Sequence, residues 1–363
     1  MPKALHIAIV ARAMSHPVGG VREFVRDVCD EIVKLDTPHR YTFYYADEKL
    51  LGRYPMADEQ FLSAPHKFFW DHWAVPRALK RDQPDVVWFP HNVMALGCSI
   101  PAALTIYDLL YFDVPEFAER EYAGVDSFYM RQFIPRSIKR AKKVMTISDW
   151  TAKDAHQLLG TPVEKMQTVY LAAGPEFRIL NPRPVVDKPY FFYAGTLSPR
   201  KNTRRLFEAY GRIKDDVPHD LVLTGGGDML EVDHADIVKK YNLDSRIQRK
   251  GLVSKEELVA LYNGATAFVF PSLYEGFGIP PLEAFACGCP VISSQSTSLS
   301  EVVGDAGLTV DPMDIDSLAL AMKQVATDEV LRKRLIASGR ERVRMFSYCQ
   351  SAGQIVGLLE DVV

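Results

Sequence analysis

The chain has 363 residues, of which 47% are hydrophobic and 25% charged, with a formal net charge of -3. That length exceeds one ordinary core and suits two domains of roughly 150–200 residues, and the balanced charge carries no electrostatic footprint for nucleic acid. Five cysteines, Cys29, Cys98, Cys287, Cys289 and Cys349, include no C-x-x-C pair, which argues against a disulfide framework or a metal clip and for a reducing, cytoplasmic setting.

In chain order, the apolar run Ala4–Ala11 is interrupted by His6 and stops at Arg12. It is too short for a secretory leader and reads as a first strand over 4–10. Further strands are predicted near 41–45, 85–89, 103–107, 143–147 and 167–170, with helices over Val21–Leu35, Val75–Arg81, Met130–Ala141 and Thr151–Leu159. Short apolar runs alternating with segments of helical period describe a parallel sheet covered on both faces. The stretch 181–189 holds Pro182, Pro184 and Pro189 and has no periodicity, so it reads as an interdomain linker closing a first domain at 1–180. The pattern then restarts with strands over Tyr190–Ala194, Leu221–Thr224, Ala267–Phe270, Val291–Ser294 and Leu308–Val310. Helices are predicted over Asn202–Ile213, Lys255–Asn263 and Pro281–Ala286, the second opened by a capping box of Ser254 and Glu257. A second domain is expected over 181–340, and 341–363 is expected as a helical segment packing back on the first. No uncharged apolar stretch reaches the ~18–20 residues needed to span a bilayer, so any membrane contact is expected to be peripheral.

The chemistry-bearing residues gather after two strands of the second half. Strand Tyr190–Ala194 runs into Gly195 and then Arg200-Lys201-Asn202, at the carboxyl end of a parallel strand, where open α/β sheets bind ligands. A planar guanidinium beside an ammonium suits the oxygens of a diphosphate leaving group. A solvated pair near a helix start is the plain alternative, although cations there oppose the helix dipole and ask for an anion nearby. After strand Ala267–Phe270 comes Tyr274-Glu275-Gly276-Phe277-Gly278-Ile279-Pro280-Pro281-Leu282-Glu283. Gly276 and Gly278 allow close backbone approach and Pro280-Pro281 pre-set a first helical turn. The loop then aims amides and the positive end of a helix at a ligand, with Glu275 suited to a sugar hydroxyl and Glu283 to a ribose. Asp314-Ile315-Asp316 resembles a metal-binding triplet but precedes a helical stretch and reads as a cap.

With those residues in that order, the sequence resembles the retaining GT-B glycosyltransferases of family 4, whose signature is two glutamates separated by seven residues, as in Glu275 through Glu283. The resemblance runs over nearly the whole chain and includes Gly19-Gly20, Tyr107-Asp108-Leu109, Thr146-Ile147-Ser148-Asp149, Gly195 through Asn202, Gly225-Gly226-Gly227, Gly251-Leu252-Val253 and Gly288-Cys289-Pro290-Val291-Ile292. It implies two Rossmann-like doubly wound α/β domains facing a central cleft, and retaining transfer of a sugar from a nucleotide-diphosphate donor. Arg200 and Lys201 then hold the diphosphate, Glu283 the ribose, and Glu275 with the backbone of Gly276, Phe277 and Gly278 the transferred sugar. Val253 lies near the base, Gly195 on the donor loop, and Gly19-Gly20 close over the phosphates. Asp108 joins the catalytic group. The same resemblance implies no cofactor and no required metal. The glutamate stretch is similar to that of bacterial polysaccharide mannosyltransferases, which makes GDP-mannose the first expectation for the donor and a glycan or lipid-linked molecule the acceptor.

One position departs from the family pattern. Many relatives have His-Asp where this chain has Tyr107-Asp108, and tyrosine offers no neutral imidazole. His91, in Phe89-Pro90-His91-Asn92, is a candidate substitute from a neighbouring strand end. A basic run from Arg131 to Lys143 and the aromatics Phe68, Phe69, Trp70 and Trp73 suit an anionic membrane surface at the inner face, or else a solvated helix and a packed cluster. Two further readings stay open: a nucleotide-sugar hydrolase or epimerase on the same fold, and a non-catalytic nucleotide-sugar-binding subunit.

Overall fold

The computed structural model describes residues 4–16, 19–121, 124–225 and 230–363. They form two α/β units, Met1–Leu171 with Ser347–Val363, and Ala172–Phe346. The first is built on strands β1 (His6–Val10), β2 (Arg40–Tyr45), β3 (Asp58–Phe61), β4 (Val86–Phe89), β5 (Ala102–Ile106), β6 (Lys143–Thr146) and β7 (Met166–Thr168). All pair in parallel, in the order β3-β2-β1-β4-β5-β6-β7. The second carries β8 (Tyr190–Ala194), β9 (Asp220–Thr224), β10 (Ile247–Arg249), β11 (Ala267–Phe270), β12 (Val291–Ser294) and β13 (Leu308–Val310), again all parallel, in the order β10-β9-β8-β11-β12-β13. Central strands such as β4, β5, β8 and β11 are buried at every residue. Helices on both faces leave no solvated side, so their sequences are continuous apolar runs rather than alternating ones. The fold is the doubly wound α/β pair expected.

Local chemistry sets the helix ends. Ser148 caps Asp149–Leu159 by accepting from Thr151 N–H at 3.0 Å, and Gly160, at φ 63°, closes it in the left-handed conformation. Ser254 accepts from Glu257 N–H at 3.1 Å, while the Glu257 carboxylate lies 3.7 Å from Lys250. Asp314 caps Ile315–Thr327 through the amides of Asp316 and Ser317. Among the described residues, no group of three or more His, Cys, Asp or Glu side chains is placed to hold a metal ion.

The domain limits fall elsewhere than at 180/181 and 340/341. Phe177 packs edge-on against Tyr262 at 6.0 Å, Leu180 N–H donates to Asn263 Oδ1 at 2.8 Å, and Asn263 Nδ2 donates to Arg178 O at 2.9 Å. Residues 172–180 are therefore held by the second unit, and the proline-rich stretch is a loop within it. At the other end Arg342 Nε donates to Val302 O at 3.0 Å, keeping the chain with the second unit through Phe346. The helix Tyr348–Glu360 belongs to the first unit, where Tyr348 packs 6.1 Å from Phe24 and Ser351 Oγ donates to Tyr170 O at 2.6 Å. Among the described residues no helix is long and apolar enough to cross a membrane.

Candidate active site

In the second sheet the chain runs outward in opposite directions from β8 and β11, which lie side by side. A doubly wound sheet opens its ligand crevice at such a reversal, beyond the carboxyl ends of the strands. The loops leaving these two strands carry Arg200-Lys201 and Glu275, and they are tied together. Leu273 N–H donates to Arg200 O at 2.8 Å. Asn202, left-handed at φ 57°, donates from Nδ2 to Pro271 O at 3.0 Å and to Pro312 O at 2.7 Å.

This bracing brings both cations to one carboxylate. Lys201 Nζ donates to Glu275 Oε1 at 2.6 Å and Arg200 Nη1 lies 3.3 Å from Oε2, with the three side chains only 11–14% exposed. Arg200 Nη1 also donates to Tyr274 O at 2.9 Å, and Lys201 Nζ sits 5.0 Å above the Phe270 ring. Burial by itself raises the Glu275 carboxyl, but Lys201 and then Arg200 overcome it and hold the group below its ordinary value. Two neighbouring cations beside an ionised glutamate have the chemistry to accept a strong anion and to hydrogen-bond a neutral hydroxyl beside it.

The glutamate loop is held from the next strand. Glu275 N–H donates to Thr297 Oγ1 at 3.1 Å, and Ser298 Oγ donates to Glu275 O and Phe277 O at 2.8 and 2.9 Å. Thr297 adopts φ 51° and ψ -137°, a strained conformation for a β-branched residue of the kind kept where surroundings over-determine it. Gly278 precedes the Ile279–Ala286 helix at φ 107°, and a Cβ there would meet Leu299 Cδ2 at 2.5 Å. Phe277 is buried and packs edge-on against Phe346 at 5.8 Å, so its side chain is part of the packing. Glu283 sits in that helix, with Oε2 accepting from the buried Tyr262 hydroxyl at 2.9 Å.

Gly195 and Val253 lie on the other side of β8. Gly195, at φ 146°, donates to Thr224 O at 3.0 Å, and Gly225 donates to Gly251 O at 2.9 Å, which ties together the loops after β8, β9 and β10. Half-buried Val253 follows Gly251 on the last of these. Gly226 and Gly227 lie outside the described residues.

Two family patterns match this chain: Glycosyltransferase Family 4 over residues 18–177 and Glycosyl transferases group 1 over residues 180–342. The chain is also 33% identical over 279 residues to O-antigen chain mannosyltransferase B from Escherichia coli, covering 74% of this chain and 72% of that protein. The chain belongs to glycosyltransferase family 4. It is 28% identical over 260 residues to the O-antigen chain mannosyltransferase RfbU of Salmonella typhimurium, covering 71% and 70% of the two chains. Its fold superposes on sucrose-phosphate synthase from Thermosynechococcus elongatus with a TM-score of 0.78 at 21% identity, over 98% of each chain.

The first unit of this glycosyltransferase has its own reversal, between β1 and β4. There a cavity of about 490 Å³ is lined by Gly19, Gly20, His91, Tyr107 and Asp108 among others. Gly19, at φ 132°, starts the Gly20–Ile32 helix, and the cavity faces that N-terminus. Asp108 Oδ1 accepts from Leu110 N–H at 3.2 Å. Tyr107 lines this cavity too. It is buried, and its hydroxyl donates to Pro90 O at 3.0 Å, so its proton goes to the protein and not to a ligand. His91 presents an imidazole to the same cavity, and its Nδ1 is buried without a hydrogen-bond partner among the described residues. Burial, then Arg12 and Lys67, hold His91 well below its ordinary range, so the ring is neutral.

Sequence reasoning missed the braces. Tyr262, Asn202, Thr297 and Ser298 come from elements whose proximity to Glu275 and Glu283 depends on strand order. For Thr297 and Ser298 a signal existed: a Ser/Thr cluster directly after a central strand, Ser294-Gln295-Ser296-Thr297-Ser298. The aromatics divide, with Trp70 buried and donating to Leu62 O at 2.9 Å, and Phe68, Phe69 and Trp73 exposed. Of the basic run, Arg131 donates to Tyr111 O at 3.1 Å and Arg140 to Cys98 O at 2.8 Å.

Proposed function

We propose that this glycosyltransferase moves mannose from GDP-mannose to a glycan or lipid-linked acceptor in polysaccharide biosynthesis at the inner face of the membrane, with retention at the anomeric carbon and without a required metal. The observation that carries this reading is the Arg200–Lys201–Glu275 cluster at the β8/β11 reversal, beside a glycine-started helix that bears Glu283. Arg200 and Lys201 receive the diphosphate and take up the charge that grows as the bond between C1 and the phosphate oxygen breaks. The acceptor oxygen forms the new bond on the same face, and its proton passes to the departing phosphate oxygen. Two side-chain cations at the phosphates do the electrostatic work that a divalent ion does in other transferases. Glu275 holds a hydroxyl of the transferred sugar, and Glu283, oriented by Tyr262, holds the ribose. Mannose is favoured because the O-antigen relatives matched over about 70% of their length are mannosyltransferases. His91 supplies the imidazole that Tyr107 does not.

The test is nucleotide release from GDP-mannose, UDP-glucose and UDP-GlcNAc, in EDTA, with and without acceptor glycolipid, followed by NMR of the new anomeric centre. Acceptor-dependent GDP release with an α-linked product supports the reading. Release without acceptor, inversion, or loss of turnover in EDTA that a divalent ion restores refutes the corresponding part.

A further inference from the structure

The first unit contains a group of basic side chains of its own. Arg12 and His16 lie after β1 and Lys67 on a short helix, and together with His91 they line the 490 Å³ cavity at the β1/β4 reversal. Arg12, His16 and Lys67 also line a further cavity of about 240 Å³. Beneath them Asp71 is 1% exposed, 3.1 Å from Arg12 Nε and 3.9 Å from His91 Nε2, and it accepts from the Tyr129 hydroxyl at 3.1 Å. Asp71 leaves from a π-helical turn, Trp70–Ala74, a distortion that concentrates at functional sites.

One buried carboxylate does not neutralise this group. Lys67 has no ion-pair partner among the described residues; its Nζ lies 4.8 Å above the Tyr129 ring. Burial and then Arg12 lower the Lys67 ammonium, against the pull of Asp71 and Asp126, and burial, Arg12 and Lys67 together lower His16. The remaining charged groups around the cavity are engaged or solvent-exposed. Arg22 pairs with Glu23 at 2.6 Å, Asp108 accepts from Leu110 N–H, and Asp126 is exposed. Cations that destabilise one another in a half-buried pocket are stabilised by an anion placed between them.

Taking Arg200 and Lys201 as the grip on the donor's diphosphate, the first unit's cations face a different anion. We propose that this cavity binds a phosphate group carried by the acceptor, held by Arg12 and Lys67 with His16 as a third donor. Asp71 acts as a positioning residue, holding the Arg12 guanidinium through the charge contact at Nε. The apolar surroundings suit a phosphate borne on a lipid: Phe68 and Phe69 follow Lys67 and are 45% and 44% exposed, and Phe128 is 65% exposed.

The proposal is tested by titrating the full chain, with GDP saturating the donor site, with octyl phosphate, octanol and inorganic phosphate, by calorimetry. Octyl phosphate should bind in the presence of GDP, octanol should bind far more weakly, and Lys67→Gln should weaken octyl phosphate by roughly tenfold or more, the worth of one charge-assisted hydrogen bond. Inorganic phosphate matching octyl phosphate marks a water-soluble phosphorylated acceptor; a weaker affinity marks a lipid-borne one. Arg12→Gln strands Asp71, so the Arg12→Gln/Asp71→Asn pair, with its melting curve, replaces it and should weaken phosphate binding further. Equal binding of octanol and octyl phosphate, indifference to Lys67→Gln, or displacement by GDP overturns the proposal. Failure of the donor assignment shows separately, as GDP affinity unchanged by Arg200→Gln and Lys201→Gln.

Discussion

Glu275→Gln keeps the shape of the glutamate loop and removes a charge that Arg200 and Lys201 share. Breaking a buried ion pair by removing one partner costs about 3–5 kcal/mol, because the remaining charge stays desolvated. The three side chains retain 11–14% exposure, which puts the expected loss at the low end, about 3 kcal/mol. For a unit of this size each kcal/mol lowers the midpoint by roughly 2–4 °C, giving a fall of about 6–12 °C. A diphosphate then supplies the missing negative charge, so GDP should raise the melting temperature of the variant by more than it raises that of the native protein. Transfer should fall at least roughly a hundredfold, because a contact to the reacting sugar is lost along with the partner of the two cations. Scanning fluorimetry with and without GDP, alongside a mannose-transfer assay, checks both halves. An unchanged melting temperature, or a smaller GDP response in the variant, would show that Glu275 does not supply the counter-charge of Arg200 and Lys201 and would refute the reasoning.

Tyr262→Phe removes the hydroxyl that donates to Glu283 at 2.9 Å; a hydrogen bond to a charged group is worth about 1.5–3 kcal/mol, so KM for the nucleotide sugar should rise roughly tenfold with kcat little changed. Tyr107→Phe, which gives up the bond to Pro90 O, should cost about 1 kcal/mol in urea melts and leave transfer intact, whereas His91→Gln should lower kcat/KM at least roughly tenfold. Burial, with Arg332 and Arg246 nearby, brings the His219 imidazole down from 6.5 to about 4. The unfolded ring protonates at higher pH than the folded one, so this contribution is full above pH 6.5 and is lost as the pH falls toward 4. His219→Phe retains the ring stacked 5.0 Å from Phe191 and should flatten stability across that window in melts taken as a pH series.

The central strands were legible because burial on both faces writes itself as an unbroken apolar run, as in Tyr190-Phe191-Phe192-Tyr193-Ala194. β3, Asp58-Glu59-Gln60-Phe61, and β10, Ile247-Gln248-Arg249, escaped notice. Both are edge strands whose pairing is dictated by β2 and β9, and whose own residues are mostly polar and solvated. The Glu275–Glu283 loop could be read because its chemistry is contiguous. Its supports could not, since Tyr262, Asn202 and Thr297 meet it only through the order of strands in the sheet. The domain limits misled for a related reason. Three prolines mark a break in periodicity, but whether a segment belongs to one core or the other is decided by contacts such as Phe177 with Tyr262 and Leu180 with Asn263.

The same sheet logic places Tyr107 and His91 side by side. β4 and β5 pair with Phe89 opposite Leu104, so His91, two residues beyond Phe89, and Tyr107, three beyond Leu104, leave neighbouring strand ends and line one cavity. With the Tyr107 hydroxyl turned to Pro90 and its ring centroid 5.9 Å from that of Phe24 in an edge-on contact, Tyr107 packs in the core, and His91 is the imidazole beside it in the cavity. If His91 supplies the imidazole, as proposed, a histidine at position 107 should matter only when His91 is gone. Tyr107→His alone should add no activity and should lower stability through lost packing, while Tyr107→His introduced into His91→Gln should recover part of the lost kcat/KM. Strictly additive losses in that double-mutant cycle would mean that the two positions do separate work, and that His91 is a structural residue beside the acceptor rather than the group that receives it.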